Sequence, residues 1–248
     1  MTKTAWAAFS AARERYRGGL EQFSRVFCGL KALQQELVDR RSGPAYTVRA
    51  SLVYNQALDD LGPAAEIRLI LVGDNPGRRE QETGRYLVGP SGKIAEGFFR
   101  AAAELGIDFR KNVLILNKTP IHTPRTAELK ELCRRGGPEL AGRAAETQRF
   151  MASLLLEFQR AFSASGPLPV WITGYSEMKE GGIFGAYTEA LGKLYAAEPS
   201  LGEQVFLYRH FSMNQFSTDL RRQTMEGEGV QAALDRIGRS YRRRILGW

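Results

Sequence analysis

What most constrains this chain is a set of four short apolar runs, residues 67–72, 113–116, 170–173 and 205–208, separated by longer segments of a different period. Each run is rich in β-branched, leucine or aromatic residues, and three of the four end in polar or Gly/Pro-rich segments. Runs of that length and kind predict strands buried on both faces. The intervening stretches 93–105 and 144–162 carry apolar residues at helical spacing. Strand, helix, strand, helix predicts a parallel sheet covered on both faces and joined by right-handed crossovers. Ahead of the first strand, residues 4–41 place Phe23, Val26, Phe27, Leu30, Leu33 and Leu37 at helical spacing, and the pattern stops at Ser42-Gly43-Pro44. The organisation expected is a helical N-terminal extension over 1–62, packed on an α/β domain over 63–248 that ends in an Arg-rich helix.

Composition narrows the class of function. With 248 residues and 43% hydrophobic content the chain can bury a sizeable core, which excludes a disordered or fibrous protein, and no segment is apolar enough for a membrane span. The first twelve residues make a poor secretory signal and a better amphipathic helix. A net charge of +8 favours a polyanionic partner such as nucleic acid. Two distant cysteines, Cys28 and Cys133, support neither a disulfide framework nor a cysteine-ligated metal, so the expectation is a reducing, cytoplasmic setting without cofactor or metal. The Arg-rich stretch 236–244 reads as a solvated helix face.

Ligands of open parallel sheets bind at the carboxyl ends of the strands. Three strand ends carry unusual residues: Gly73-Asp74-Asn75-Pro76-Gly77, then Asn117-Lys118-Thr119-Pro120, then Arg209-His210-Phe211-Ser212-Met213-Asn214. These should converge on one edge. Each has an ordinary reading beside the functional one. Asp74 and Asn75 suit any tight turn, Asn117 suits a loop cap, and His210, one of two histidines with His122, suits a satisfied structural group. Gly89-Pro90-Ser91-Gly92-Lys93 is too short for a phosphate loop, yet as a helix start with a nearby lysine it can accept a DNA phosphate at Ser91 and Lys93. A dinucleotide fingerprint and a nucleophile elbow are both missing, which removes the main support for a dehydrogenase or an α/β hydrolase.

Taken together, these segments resemble the uracil-DNA glycosylase superfamily. Gly73-Asp74-Asn75-Pro76-Gly77 followed by Gly84-Arg85-Tyr86-Leu87-Val88-Gly89-Pro90-Ser91-Gly92 is similar, in ungapped register, to the first motif of its family 4. Gly-x-Asn-Pro-Gly is the form of the mismatch-specific and single-strand-selective branches. The run 113–117 resembles the strand ending in the asparagine that reads uracil, and His210-Phe211-Ser212-Met213-Asn214 resembles the closing His-Pro-Ser-Pro motif. The ordered set covers about residues 65–220.

The resemblance implies a three-layer α/β/α sandwich with a central four-stranded parallel sheet. It also implies a monofunctional DNA repair enzyme that flips uracil, or another deaminated base, and hydrolyses its N-glycosidic bond. It would be a monomer whose partner is damaged DNA, not a membrane. Asp74 and Asn75 would hold the water, His210 would donate to uracil O2, and Asn117 would pair with O4 and N3. Gly73, Pro76, Gly77, Tyr86 and Leu87 would shape the pocket. Leu87 stands where the family stacks a phenylalanine, which makes Tyr86 the nearest aromatic replacement. Phe211 and Met213 replace the two prolines, leaving Met213, Asn214 or Phe216 as the wedge and Ser212 for a phosphate. The cluster-binding cysteines of family 4 are missing from this sequence. Two other functions fit the same residues: a DNA-binding, damage-sensing module without turnover, and a hydrolase of free nucleosides or nucleotides.

Overall fold

A computed structural model describes residues 1–41, 43–163 and 166–248, so Ser42 of the expected helix stop lies outside the described residues. Four parallel strands, β1 (Leu69–Gly73), β2 (Val113–Asn117), β3 (Val170–Thr173) and β4 (Val205–Tyr208), form one sheet in the order β2-β1-β3-β4. Every strand residue is buried, as continuous apolar runs require. The first strand starts two residues later than its apolar run. Ile67 and Arg68 lie outside the ladder, and Gly73 extends it into register with Asn117.

The pleat divides the core in two. Ile70, Leu114, Val170 and Val205 are in register and face one side; Leu71, Ile115, Trp171 and Phe206 face the other. The first side packs under α1 (Lys3–Val26), α5 (Thr126–Ser163) and α6 (Gly185–Ala196). The second packs under α4 (Pro90–Ala101) and α8 (Gln215–Gln223), while α9 (Val230–Leu246) lies along β4 and contributes to both. The result is the expected three-layer α/β/α sandwich. The remaining helices are short: α2 (Leu30–Asp39), α3 (Arg78–Thr83) and the single turn α7 (Pro199–Gly202).

Several boundaries differ from the periodicity. The N-terminal helical stretch breaks after Val26, because Gly29 enters the left-handed region at φ 77° to start α2. In α5 the break is at Gly137 (φ 70°), directly before Pro138, whose ring and missing N–H interrupt a helix. The helix expected over 93–105 begins at Pro90, ends at Ala101 and continues as one 3-10 turn to Leu105. The Arg-rich end is only partly a solvated face. Arg242 is buried and donates to the carbonyls of Gly202, Val205 and Trp248. No helix of the described residues is long and apolar enough to cross a membrane.

From β1 the chain moves to β2 on one side and returns to β3 on the other, so the connections diverge at the β1–β3 boundary. Such a switch point leaves a crevice at the carboxyl ends.

Candidate active site

A cavity of about 650 Å³ opens at that crevice. Asp74, Asn75, Gly77, Leu87, Ser91, Asn117, His210, Ser212 and Met213 all line it, although they come from four separate chain segments. Gly73, Pro76, Tyr86, Lys93 and Asn214 do not. Two close approaches explain glycines in and directly behind the wall. A Cβ on Gly73 would lie 2.6 Å from Asn117 Oδ1, and one on Gly92 would run into the Leu87 carbonyl.

The Asp74 carboxylate is anchored from two sides. Its Oδ1 accepts from Lys118 Nζ at 2.6 Å, and its Oδ2 from the Thr126 hydroxyl at 3.1 Å. Lys118 is completely buried and also donates to the carbonyls of Thr173 at 2.5 Å and Gly73 at 3.4 Å, so its ammonium ties β1 to β3 behind the cavity. Burial lowers the lysine pKa, and Asp74 opposes that shift. The adjoining Asn75 is committed differently: its amide donates to the carbonyl and hydroxyl of Thr123 at 3.0 and 2.9 Å. The two residues are therefore not equivalent holders of a water. Asn75 has spent its amide hydrogens on the loop before α5 and offers a water only Oδ1, which shares the Thr126 hydroxyl at 3.3 Å, whereas the Asp74 carboxylate has more lone pairs than partners.

His210 has its tautomer set by the backbone. The Ser212 N–H donates to His210 Nδ1 at 3.0 Å, which leaves the proton of a neutral ring on Nε2. Burial lowers its pKa, Asp74 pulls it back up, and Lys118 adds to the depression. Opposite in role, Asn117 is buried at 2% exposure and its Nδ2 has no hydrogen-bond partner among the described residues. An unmatched buried donor costs about 1–3 kcal/mol. It is the kind of group that a ligand acceptor would satisfy.

Two expectations are corrected. Tyr86 is only 2% exposed and faces the core, where its hydroxyl donates to the Val53 carbonyl at 2.5 Å and lies 2.6 Å from the Tyr16 hydroxyl of α1. Its neighbour Leu87, held at φ 49°, reaches the cavity in its place. Phe216 is equally unsuited to be a wedge, since it stacks on Phe211 with centroids 4.3 Å apart inside the second core. Met213 is the opposite case: it is 86% exposed at the cavity mouth with φ 54°. Among the described residues, the non-glycine positions with positive φ are Leu87, Met213 and Asn214, all in the segments that form this site. Backbone strain of that kind persists where surrounding structure enforces it, typically at functional sites. Lys93 is exposed on α4 beyond the cavity wall, which receives Gly89, Pro90, Ser91 and Gly92 from that helix start.

Glu80 and Lys118 are the residues that the sequence reading overlooked. The Glu80 carboxylate accepts from the N–H of Gly77 at 2.5 Å and of Leu87 at 2.6 Å, bridging both ends of the motif loop. Burial raises its pKa, and the two N–H donors oppose the rise. A glutamate three residues after a helix N-cap was the available signal, since it can reach back to the cap N–H. Lys118 had no signal except its place after Asn117. The wall contains no Phe, Tyr or Trp among the described residues, and Arg41, Arg78, Arg79 and Arg125 stand around it. It therefore offers a flat ligand hydrogen-bonding groups and aliphatic contact, with cations for an attached anion.

Comparison with known families finds that residues 60–174 match the model of the uracil DNA glycosylase superfamily. The match spans β1 to β3, including Asp74 and Asn117, and ends before His210. No curated protein matches the chain significantly.

Proposed function

We propose that this chain, which belongs to the uracil-DNA glycosylase superfamily and so has a DNA glycosylase type of function, releases uracil from DNA by hydrolysing its N-glycosidic bond. The observation that carries this reading is the unpartnered amide nitrogen of Asn117 in the same wall as the His210 Nε2–H. Uracil presents an acceptor at O4, a donor at N3 and an acceptor at O2. Asn117 Nδ2 would donate to O4 and its Oδ1 would accept from N3–H, while His210 would donate to O2. Cytosine reverses the pattern at positions three and four, which would leave the buried amide mismatched.

Cleavage builds positive charge on the deoxyribose and negative charge on the departing base. A neutral imidazole N–H aimed at O2 stabilises that charge without carrying a net charge of its own. Asp74 would hold a water by a free lone pair beneath C1′, where the carboxylate also favours the positive sugar. The water oxygen bonds to C1′ as the C1′–N1 bond breaks. Its proton passes to Asp74 and the pair of electrons leaves with uracil, giving free base and an abasic site. The anchors on Asp74 from Lys118 and Thr126 keep it from rotating away. Leu87 would give the base aliphatic contact, Ser91 and Ser212 would meet phosphates, and Met213 would fill the vacated stack.

Single-turnover base release from a labelled oligonucleotide carrying uracil, as a single strand and opposite G and A, tests the reading, with alkaline cleavage as readout. Release that His210→Ala slows by about two to three orders of magnitude is the expected result. DNA binding without release of uracil would overturn the uracil reaction and favour a damage-sensing module.

A further inference from the structure

Most cations on this surface are neutralised by a carboxylate. On α5, for example, Arg134 and Arg135 pair with Glu131, and Arg143 pairs with Glu139. A different pattern holds around α8 and α9. Lys179, Arg221, Arg222, Arg239, Arg243 and Arg244 are all exposed, and none forms an ion pair among the described residues. Carboxylates do occur there, but Asp219, Glu228 and Asp235 are engaged by other partners, and Glu180, which shares a depression with Lys179, Arg209 and Arg244, pairs with none of them. Asp219 takes Arg209 and the Tyr241 hydroxyl, Glu228 takes Arg236, and Asp235 accepts from Gln231.

Aromatic rings hold three of these cations in place. The Arg244 guanidinium lies 4.6 Å from the Tyr241 centroid, Lys179 Nζ lies 5.7 Å from that of Tyr175, and Arg239 lies 5.7 Å from that of Phe206. Such stacking positions the charged head over a ring face while leaving N–H groups at its edge for an anion. Arg236, Arg239, Ser240, Arg243 and Arg244 line an open depression of about 560 Å³ on α9. A neighbouring one, lined by Tyr175, Lys179, Glu180, Arg209, Arg244 and Ile245, lies beside the carboxyl ends of β3 and β4 and holds three cations to one carboxylate. Arg209 directly precedes His210, and Tyr175 directly follows Gly174 of the cavity wall.

We propose that this cationic surface on α9, which shares Arg244 with the depression that holds Arg209, the residue before His210, is a second DNA-backbone site that binds duplex flanking the damaged nucleotide. It rests on the reading above only in naming DNA as the polyanion. Arg239 and Arg243 lie one helical turn apart on one face, so they can meet neighbouring phosphates along one backbone. The cavity rim then holds the target nucleotide and α9 holds the flank.

The test is fluorescence anisotropy of the full chain with duplexes that carry a tetrahydrofuran abasic analogue, one of about one helical turn and one of about three. For Arg239→Gln/Arg243→Gln, affinity for the long duplex should fall about tenfold and the slope of log K against log salt should shrink by about 2. The short duplex should bind within about twofold of wild type, because it does not reach the second site. Arg134→Gln/Arg143→Gln removes equal charge from paired cations on α5 and should change neither duplex. An unaltered long-duplex slope, or an equal loss on both lengths, would overturn the proposal. Since the analogue is never cleaved, a chain that fails to release uracil can still pass this test.

Discussion

The two histidines of this protein lie in segments that meet at the same edge of the sheet, and they are used in opposite ways. His122 is buried with both ring nitrogens engaged inside the protein: Nδ1 donates to the Pro76 carbonyl at 2.9 Å and Nε2 accepts from the Tyr46 hydroxyl at 2.9 Å. His210 has one nitrogen fixed by the Ser212 N–H and the other left to the cavity. Burial depresses both pKa values. What separates strut from candidate catalyst is therefore not charge state but whether the donor inventory closes within the fold. The same contrast separates Tyr86, satisfied by Val53 and Tyr16, from Asn117, whose amide nitrogen is orphaned.

The sharpest way to break the comparison is to remove each imidazole. His210→Ala should slow uracil release about 10²- to 10³-fold, the usual cost of one donor to a developing anion. Its melting temperature and DNA affinity should stay close to wild type. If the rate survives, His210 is a second strut. His122→Ala should do the reverse, destabilising the fold with the rate per folded molecule nearly preserved, as read by denaturant titration beside single-turnover kinetics.

The acid limb of stability sharpens the same point. The His122 pKa drops to about 4 from 6.5, so its contribution is complete above pH 6.5 and is lost as pH falls toward 4. A shift of that size amounts to about 3 kcal/mol of acid destabilisation. Urea midpoints measured from pH 7 to pH 4 should fall in the wild type and fall less in His122→Ala.

Met213 offers a smaller effect with two signs. Met213→Gly should lower release from duplex by on the order of tenfold, with little loss on single strands, because only the duplex has a stack to fill. It should also stabilise the fold by up to about 1 kcal/mol, since φ 54° suits glycine better than methionine. The smallest expected effect is in the pH–rate profile. A depressed His210 pKa keeps the ring neutral below pH 6.5, so the acid limb of the rate that reports this group should lie below that value. A limb above it would contradict a neutral donor.

Much of this arrangement was legible in the chain itself. The four strands are apolar runs with no competing period, and buried parallel strands leave few other options for such runs. Their carboxyl ends brought Asp74, Asn117 and His210 into view because ligands of such sheets collect there. The wedge and the stacking position were less accessible. Nothing in the local sequence says that Tyr86 turns inward and Leu87 outward, since that depends on a positive φ and on Glu80 holding the Leu87 N–H. Phe216 and Met213 are both plausible apolar plugs on paper. Only the stacking of Phe216 on Phe211 excludes one of them.

By itself the sequence determined the layers, the strand ends and the residue types available at the site, because periodicity and strand termination are local properties of the chain. The tertiary structure decided which of those residues keep an unsatisfied hydrogen-bonding group in the cavity wall. It brought Lys118 from the end of β2 to Asp74 at the end of β1, closed the hydrogen bonds of His122, and left those of Asn117 and His210 open. Satisfaction is a property of partners brought together from distant segments, and no reading of neighbours along the chain contains it.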